Sequence, residues 1–225
     1  MSDRATPARS VEHAVAVVPD DAGIDQLRRA ATQCTACELH VPATQTVFSK
    51  GSATARLALV GEQPGDAEDV RGVPFVGPAG QLLTRAILEA GIEPADCYVT
   101  NAVKHFRFTV PGPGQRRLHQ TPDLEHMTTC RPWLVAELAV VDPVVVVLLG
   151  ATAGKSLLGP DFRVTRQRGR LIPRAGRGEE PARQNLGWFV ATLHPSAVLR
   201  ADDPVAAHAQ LVGDLRLAAS VLQPT

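Results

Sequence analysis

The sequence predicts a single three-layer α/β/α domain on a four-stranded, mostly parallel sheet. Three observations carry that prediction. Short apolar runs alternate along the chain with longer helix-patterned segments, no internal repeat interrupts the alternation, and 225 residues suffice for one full α/β core. Leu57 to Val60 is a buried strand. Pro78-Ala79-Gly80 opens a helix through Leu82, Leu83, Ala86, Ile87 and Ala90, which Gly91 ends. Cys97 to Val103 forms a second strand. Thr121-Pro122-Asp123 starts a long helix, with threonine as cap and proline at the first helical position, running past Trp133 to about Val140. Val144 to Leu149 is the most hydrophobic run, expected at the sheet centre where both faces are covered. Trp188 to Thr192 is the fourth strand and Pro204 to about Leu222 a closing helix. Residues 173–185, rich in Gly, Arg and Pro, read as a surface excursion. Residues 1–20 lack periodicity and read as a flexible tail, leaving 21–225 as the domain.

Lys plus Arg equals Asp plus Glu at 23 each, so no global basic field attracts nucleic acid. A local one exists. Lys104, His105, Arg107, Arg116, Arg117 and His119 fall in a window without an acidic residue, either a solvated basic loop or a nucleic-acid patch. No apolar stretch is long enough to span a membrane and no secretory signal opens the chain, so a cytoplasmic protein is expected; a monomer is expected as well. In that reducing compartment, four cysteines are not expected to form disulfides.

Two apolar runs lead straight into polar turns. Leu57-Ala58-Leu59-Val60 precedes Gly61-Glu62-Gln63-Pro64-Gly65-Asp66, and Trp188 to Thr192 precedes Leu193-His194-Pro195-Ser196. Ligands of open α/β sheets sit beyond the carboxyl ends of parallel strands, so both turns can face one pocket. Gly150-Ala151-Thr152-Ala153-Gly154-Lys155-Ser156 also follows a strand and imitates a phosphate-binding loop. That loop needs four residues between its glycines to wrap a phosphate, and here there are three, so the segment reads as an ordinary strand-to-helix turn.

Gly61 to Asp66, Pro74-Phe75-Val76-Gly77-Pro78-Ala79-Gly80, Asn101-Ala102-Val103-Lys104 and His194-Pro195-Ser196 resemble, in this order, the iron–sulfur branch of the uracil-DNA glycosylase superfamily. The resemblance runs from about Cys34 to the final helix. Gln115-Arg116-Arg117-Leu118-His119 further resembles the Arg-rich, His-ended loop of UdgX-type enzymes, which become covalently attached to DNA after removing uracil. The loop departs from that pattern in beginning with Gln115 rather than lysine, and in the Pro-Gly-Pro-Gly before it.

Breaking the uracil–deoxyribose bond leaves a uracil anion and an oxocarbenium-like sugar, so donors are needed at the base oxygens and stabilisation at the sugar. The resemblance implies that Phe75 stacks on the flipped uracil, Asn101 binds its pairing edge, and His194 donates towards O2. Gly61 and Asp66 join them as substrate-binding residues, and Glu62 and Gln63 lie near the sugar. In ordinary members an acidic residue of this turn positions water. In UdgX-type proteins the loop histidine, here His119, takes water's place as a neutral imidazole with a lone pair for C1′. Arg116 and Arg117 are implied DNA contacts. In the segment Ser196 to Arg200, Leu199 either fills the gap left by the flipped base, with Arg200 on phosphate, or is buried in the fold. The implied partner is uracil-containing DNA, single-stranded and double-stranded.

Cys34-x-x-Cys37, with Cys97 and Cys130, suits zinc or an iron–sulfur cluster by spacing alone. The resemblance implies a 4Fe-4S cluster whose third ligand follows the Asn-x-Val-Lys segment, where this chain has His105. Cys97 opens a buried strand, so Cys34, Cys37, His105 and Cys130 are the expected ligands, with Cys97 the alternative to His105.

Overall fold

The computed structural model describes residues 17–174 and 187–222. The tail expected over 1–20 lies outside them up to residue 16, as does most of the 173–185 excursion. The strands are β1 (Ser49–Gly51), β2 (Leu57–Gly61), β3 (Cys97–Asn101), β4 (Phe108–Thr109), β5 (Leu118–His119), β6 (Val145–Leu149), β7 (Leu171–Arg174) and β8 (Gly187–Thr192). The helices are α1 (Ile24–Ala31), α2 (Asp66–Arg71), α3 (Pro78–Glu89), α4 (Leu124–Val141), α5 (Gly150–Leu158), α6 (Val164–Gln167), α7 (Pro195–Leu199) and α8 (Pro204–Ser220). None of them is long and apolar enough to cross a membrane.

The main sheet has six strands rather than four, in the order β1-β3-β2-β6-β8-β7. The four expected strands form its parallel centre, and β1 and β7 are added antiparallel at the edges. Both edges are short. β7 contains Pro173, which cannot donate to a ladder and is tolerated only at such a margin. Alternation along the central strands divides two cores. Ala58, Val60, Tyr98, Val146 and Leu148 pack with α1 and α4 through Leu27, Trp133 and Leu134. Leu57, Leu59, Val99, Val145 and Val147 pack on the opposite face with α3 and α8 through Leu83, Ile87, Leu211 and Leu215. This is the predicted α/β/α sandwich.

The start of α4 differs in detail from expectation. Asp123 is the cap, its carboxylate accepting from the His126 amide at 3.1 Å, so Thr121 and Pro122 stand before the helix. β3 also ends at Asn101, although Ala102 and Val103 still donate to the carbonyls of Gly61 and Glu62 at 2.9 Å each. Those two bonds hold the β2 and β3 ends side by side, which fixes the platform of the site.

Candidate active site at the carboxyl ends of the parallel strands

Gly61 and Asn101 are paired residues at the ends of β2 and β3. A Cβ on Gly61 would lie 2.3 Å from Asn101 Oδ1 and 2.6 Å from Phe75 Cζ, so only glycine lets the amide and the ring converge there. Asn101 Oδ1 is buried and, among the described residues, has no hydrogen-bond partner. An orphaned acceptor of this kind marks a place where a ligand donor fits. Phe75 lies with its ring centroid 6.0 Å from that of His194, tilted by 35°. Its φ of 54° is in the left-handed region, costly for an aromatic residue, and the surroundings hold it there. Lys50 Nζ donates to the Phe75 carbonyl at 3.2 Å, while Glu68 accepts from the amides of Val76 and Gly77 at 2.9 and 2.8 Å and from Gly65 at 3.1 Å.

His194 lies at the start of α7. Its Nδ1 accepts from the Ser196 amide at 3.2 Å, so in the neutral ring the proton is on Nε2, facing away from the helix. Burial pushes its pKa down to about 4, the nearby Glu62 carboxylate opposing that shift only in part. His194 therefore stands as a neutral donor.

Glu62 sits between two elements. Its Oε2 accepts from Thr152 Oγ1 at 2.5 Å and its Oε1 lies 3.2 Å from His119 Nε2. Burial works against its charge, but the hydrogen bonds from His119 and Thr152 and the neighbouring imidazoles of His119 and His194 hold the carboxyl below the ordinary range. The structure thus brings Glu62, His119, His194, Phe75, Asn101 and Gly61 to one end of the sheet.

His119 stands on the ribbon formed by β4 and β5, opposite Phe108. The ribbon is anchored by the same turn that carries Glu62. Gln63 Nε2 donates to the carbonyls of Arg107 and Gln120 at 3.1 and 3.0 Å, and its Oε1 accepts from the Arg107 amide at 2.9 Å. Arg117 pairs with Asp66 at 2.5 Å and Asp69 at 2.6 Å and lies over the rings of Phe106 and Phe108. Gln63, Asp66 and Arg117 are thus occupied within the protein.

The basic window consequently does not form a patch. Lys104 is buried and paired with Glu137 inside the domain, where its ammonium also donates to Thr100 Oγ1 and the Asn101 carbonyl. His105 is buried as well, and Arg107 pairs with Asp123 at 3.1 Å. Arg116 and His119 are left exposed. On the far side of the pocket Leu199 is 45% exposed, so α7 does not bury it, and Arg200 is exposed beside Ser196.

Cys34, Cys37 and Cys130 pack on the α4 side of the sheet, near enough that each of the first two raises the pKa of Cys130 beyond the dominant effect of burial. Trp133 Nε1 donates to Cys34 Sγ and the Lys104 amide to Cys130 Sγ, both at 3.3 Å. His105 Nε2 lies 2.9 Å from Thr46 Oγ1, whose own proton goes to the Ala31 carbonyl; Nε2 is therefore the donor and Nδ1 keeps its lone pair. Cys34 and His105 line one cavity of about 210 Å³. Cys97 packs on the opposite face of the sheet. Among the described residues no three His, Cys, Asp or Glu side chains converge on a single ion. The ligands of a cluster spread over different irons and need no such convergence.

Glu68, Lys50, Asp69 and Thr152 were not among the expected site residues. Glu68 had a signal, an acidic residue three places after Gly65 at a helix start. Lys50 had none, since it lies on an unpredicted edge strand.

A family model described as the uracil DNA glycosylase superfamily matches residues 48–216. The chain belongs to this superfamily. Type-4 uracil-DNA glycosylase of Thermotoga maritima is 38% identical over 169 residues, covering 75% of this chain and 79% of that protein. The type-4 enzymes of Pyrobaculum aerophilum and Archaeoglobus fulgidus are each 32% identical, over 177 and 180 residues, covering 79% and 78% of this chain and 85% and 83% of theirs. The superfamily match begins just before β1 and ends within α8, so it spans the strand ends described above.

Proposed function

We propose that this protein excises uracil from DNA and is then captured by its own product through His119. Excision draws support from the type-4 relatives and from the pocket. The orphaned Asn101 Oδ1 suits the N3–H of uracil, the Phe75 ring offers a stacking face, and His194 Nε2–H is a neutral donor for the O2 on which charge develops. The observation that carries capture is the His119–Glu62 contact of 3.2 Å, an imidazole standing on the carboxylate that would otherwise orient water. A lone pair of neutral His119 forms the new bond to C1′ as the C1′–N1 bond breaks and its electron pair leaves on uracil. The imidazolium so formed faces ionised Glu62, which pairs with its charge, and its remaining N–H proton is given up to solvent. Exposed Arg116, Leu199 and Arg200 would contact the DNA strand, while Gln63, Asp66 and Arg117 hold the ribbon.

A 4Fe-4S cluster fits the residues on the α4 side. Cys34, Cys37 and Cys130 would hold it with His105 Nδ1, and the two N–H···S bonds are of the kind that stabilise ligating thiolates. When bound, the cluster supplies a covalent tie between the segment after α1 and α4.

The test is incubation of the full chain with labelled single-stranded DNA carrying one uracil, followed by hot detergent. A one-to-one adduct is expected, with none on thymine-containing DNA. Duplex DNA carrying the same uracil is expected to give it too. His119→Ser should still release uracil, with turnover and without adduct. An adduct persisting in His119→Ser refutes capture by this residue, and free uracil without adduct from the wild type makes the protein an ordinary turnover glycosylase.

A further inference from the structure

We propose that Thr152 is a positioning residue for this reaction, and that the Gly150–Thr152 turn, despite its likeness to a phosphate loop, forms the floor of the active site. The inference rests on the role given to Glu62 above. Thr152 is buried at the start of α5, and its hydroxyl, facing an acceptor-only carboxylate 2.5 Å away, must donate to Glu62 Oε2. A carboxylate held by one oxygen cannot turn freely about its terminal torsion. Oε1 is thereby left aimed at His119 Nε2, 3.2 Å away.

The other end of the turn touches the other histidine. Gly150 has φ +87°, and a Cβ there would lie 2.9 Å from His194 Cβ, so the chain leaves β6 tightly beneath His194 before offering Thr152 to Glu62. The two ends of this three-residue turn thus meet both halves of the proposed machinery. Helix formation does not ask for threonine here, since a β-branched residue is a weaker helix former than alanine.

The titratable groups facing Glu62 are His119 on the ribbon and His194 at the start of α7; Thr152 adds an uncharged donor. A hydrogen bond to the charged form favours that form, so its removal raises the pH at which Glu62 takes up a proton.

The experiment measures single-turnover uracil release and adduct formation on the same uracil-containing oligonucleotide. Thr152→Val keeps the shape and loses the donor; release or capture should slow about 10- to 100-fold, and the acid limb of the pH–rate profile should move towards neutral. Thr152→Ser should restore both rate and profile, which a packing role for the methyl group would not allow. Thr152→Ala serves if the valine protein does not fold. In a Glu62→Gln background Thr152→Val should add nothing further. Full additivity with Glu62→Gln, or an unmoved acid limb, overturns the proposal. Wild-type uracil release without adduct would overturn capture by His119 instead, leaving the Thr152–Glu62 coupling readable in release alone.

Discussion

Gly61→Ala is the sharpest perturbation of the pocket, because one methyl group meets two of its walls. The added Cβ would lie 2.3 Å from Asn101 Oδ1 and 2.6 and 2.9 Å from Phe75 Cζ and Cε2, each about 1 Å inside ordinary contact. Gly61 lies in a strand without a left-handed φ, so the backbone accepts alanine and the effect is purely steric. Neither neighbour yields easily. Asn101 is buried in β3, and the Phe75 backbone is gripped by Lys50 on one side and by Glu68, through Val76 and Gly77, on the other. Overpacking of this kind costs about 1–3 kcal/mol of stability. A displacement of about 1 Å at a positioning contact costs about 100-fold in rate. Single-turnover uracil release should therefore fall about 100-fold in a protein that melts lower but still cooperatively. Gly213→Ala is the control: Gly213 is exposed in α8 with nothing within 4 Å of its added Cβ, so stability should rise by about 0.5–1 kcal/mol with release unchanged. Wild-type release by Gly61→Ala would refute the proposed pocket.

Two further outcomes follow from the same geometry. Protein purified without oxygen should contain iron and inorganic sulfide in equal amounts; Cys130→Ser should lose them, while Cys97→Ser, on the other face of the sheet, and His105→Cys should retain them, and stoichiometric zinc in place of iron would rule out the cluster. The half-buried His194 is held neutral, its pKa lowered by desolvation from 6.5 to about 4, so between those values the unfolded chain binds more protons and stability declines as pH falls. Chemical denaturation should show this as a loss approaching about 3 kcal/mol across the window, on top of that from buried His105, which is lowered to the same degree and remains in His194→Gln; the slope should therefore be smaller in His194→Gln, and identical slopes in both proteins would contradict a neutral His194.

The four parallel strands were legible because each is buried on both faces, which imposes unbroken apolar runs such as Val145–Leu149. The edge strands carry no such mark: Ser49-Lys50-Gly51 is short and partly polar, and β7 accommodates Pro173. The strand-end turns were legible for the same reason as the strands. Which basic residues face solvent was not, because their partners are remote in the chain. Lys104 meets Glu137 33 residues on, and Arg117 meets Asp66 and Asp69 across 51 and 48 residues. Thr152 reaches Glu62 across 90. A local pattern shows that a side chain is charged or hydroxylic, but only the fold decides what neutralises it.

Those long-range pairs give the proposed capture a physical basis. Gln63, Asp66 and Asp69 follow Glu62 on one turn and helix, and each holds the ribbon that carries His119: Gln63 at the backbone of Arg107 and Gln120 that flank its two strands, the two aspartates through Arg117. His119, the proposed nucleophile, and the Glu62 carboxylate are therefore mounted on a single platform, with Asp69 fully buried and so unable to leave its arginine without losing a paired charge. A group held near its reaction partner can act with an effective molarity of about 10⁵–10⁸ M, well beyond any solvent concentration. The same contact also takes Glu62 Oε1 out of service for water. Under the proposed reading, water and imidazole compete for one carboxylate oxygen, and the bonds that fix the ribbon decide in favour of the imidazole before DNA arrives.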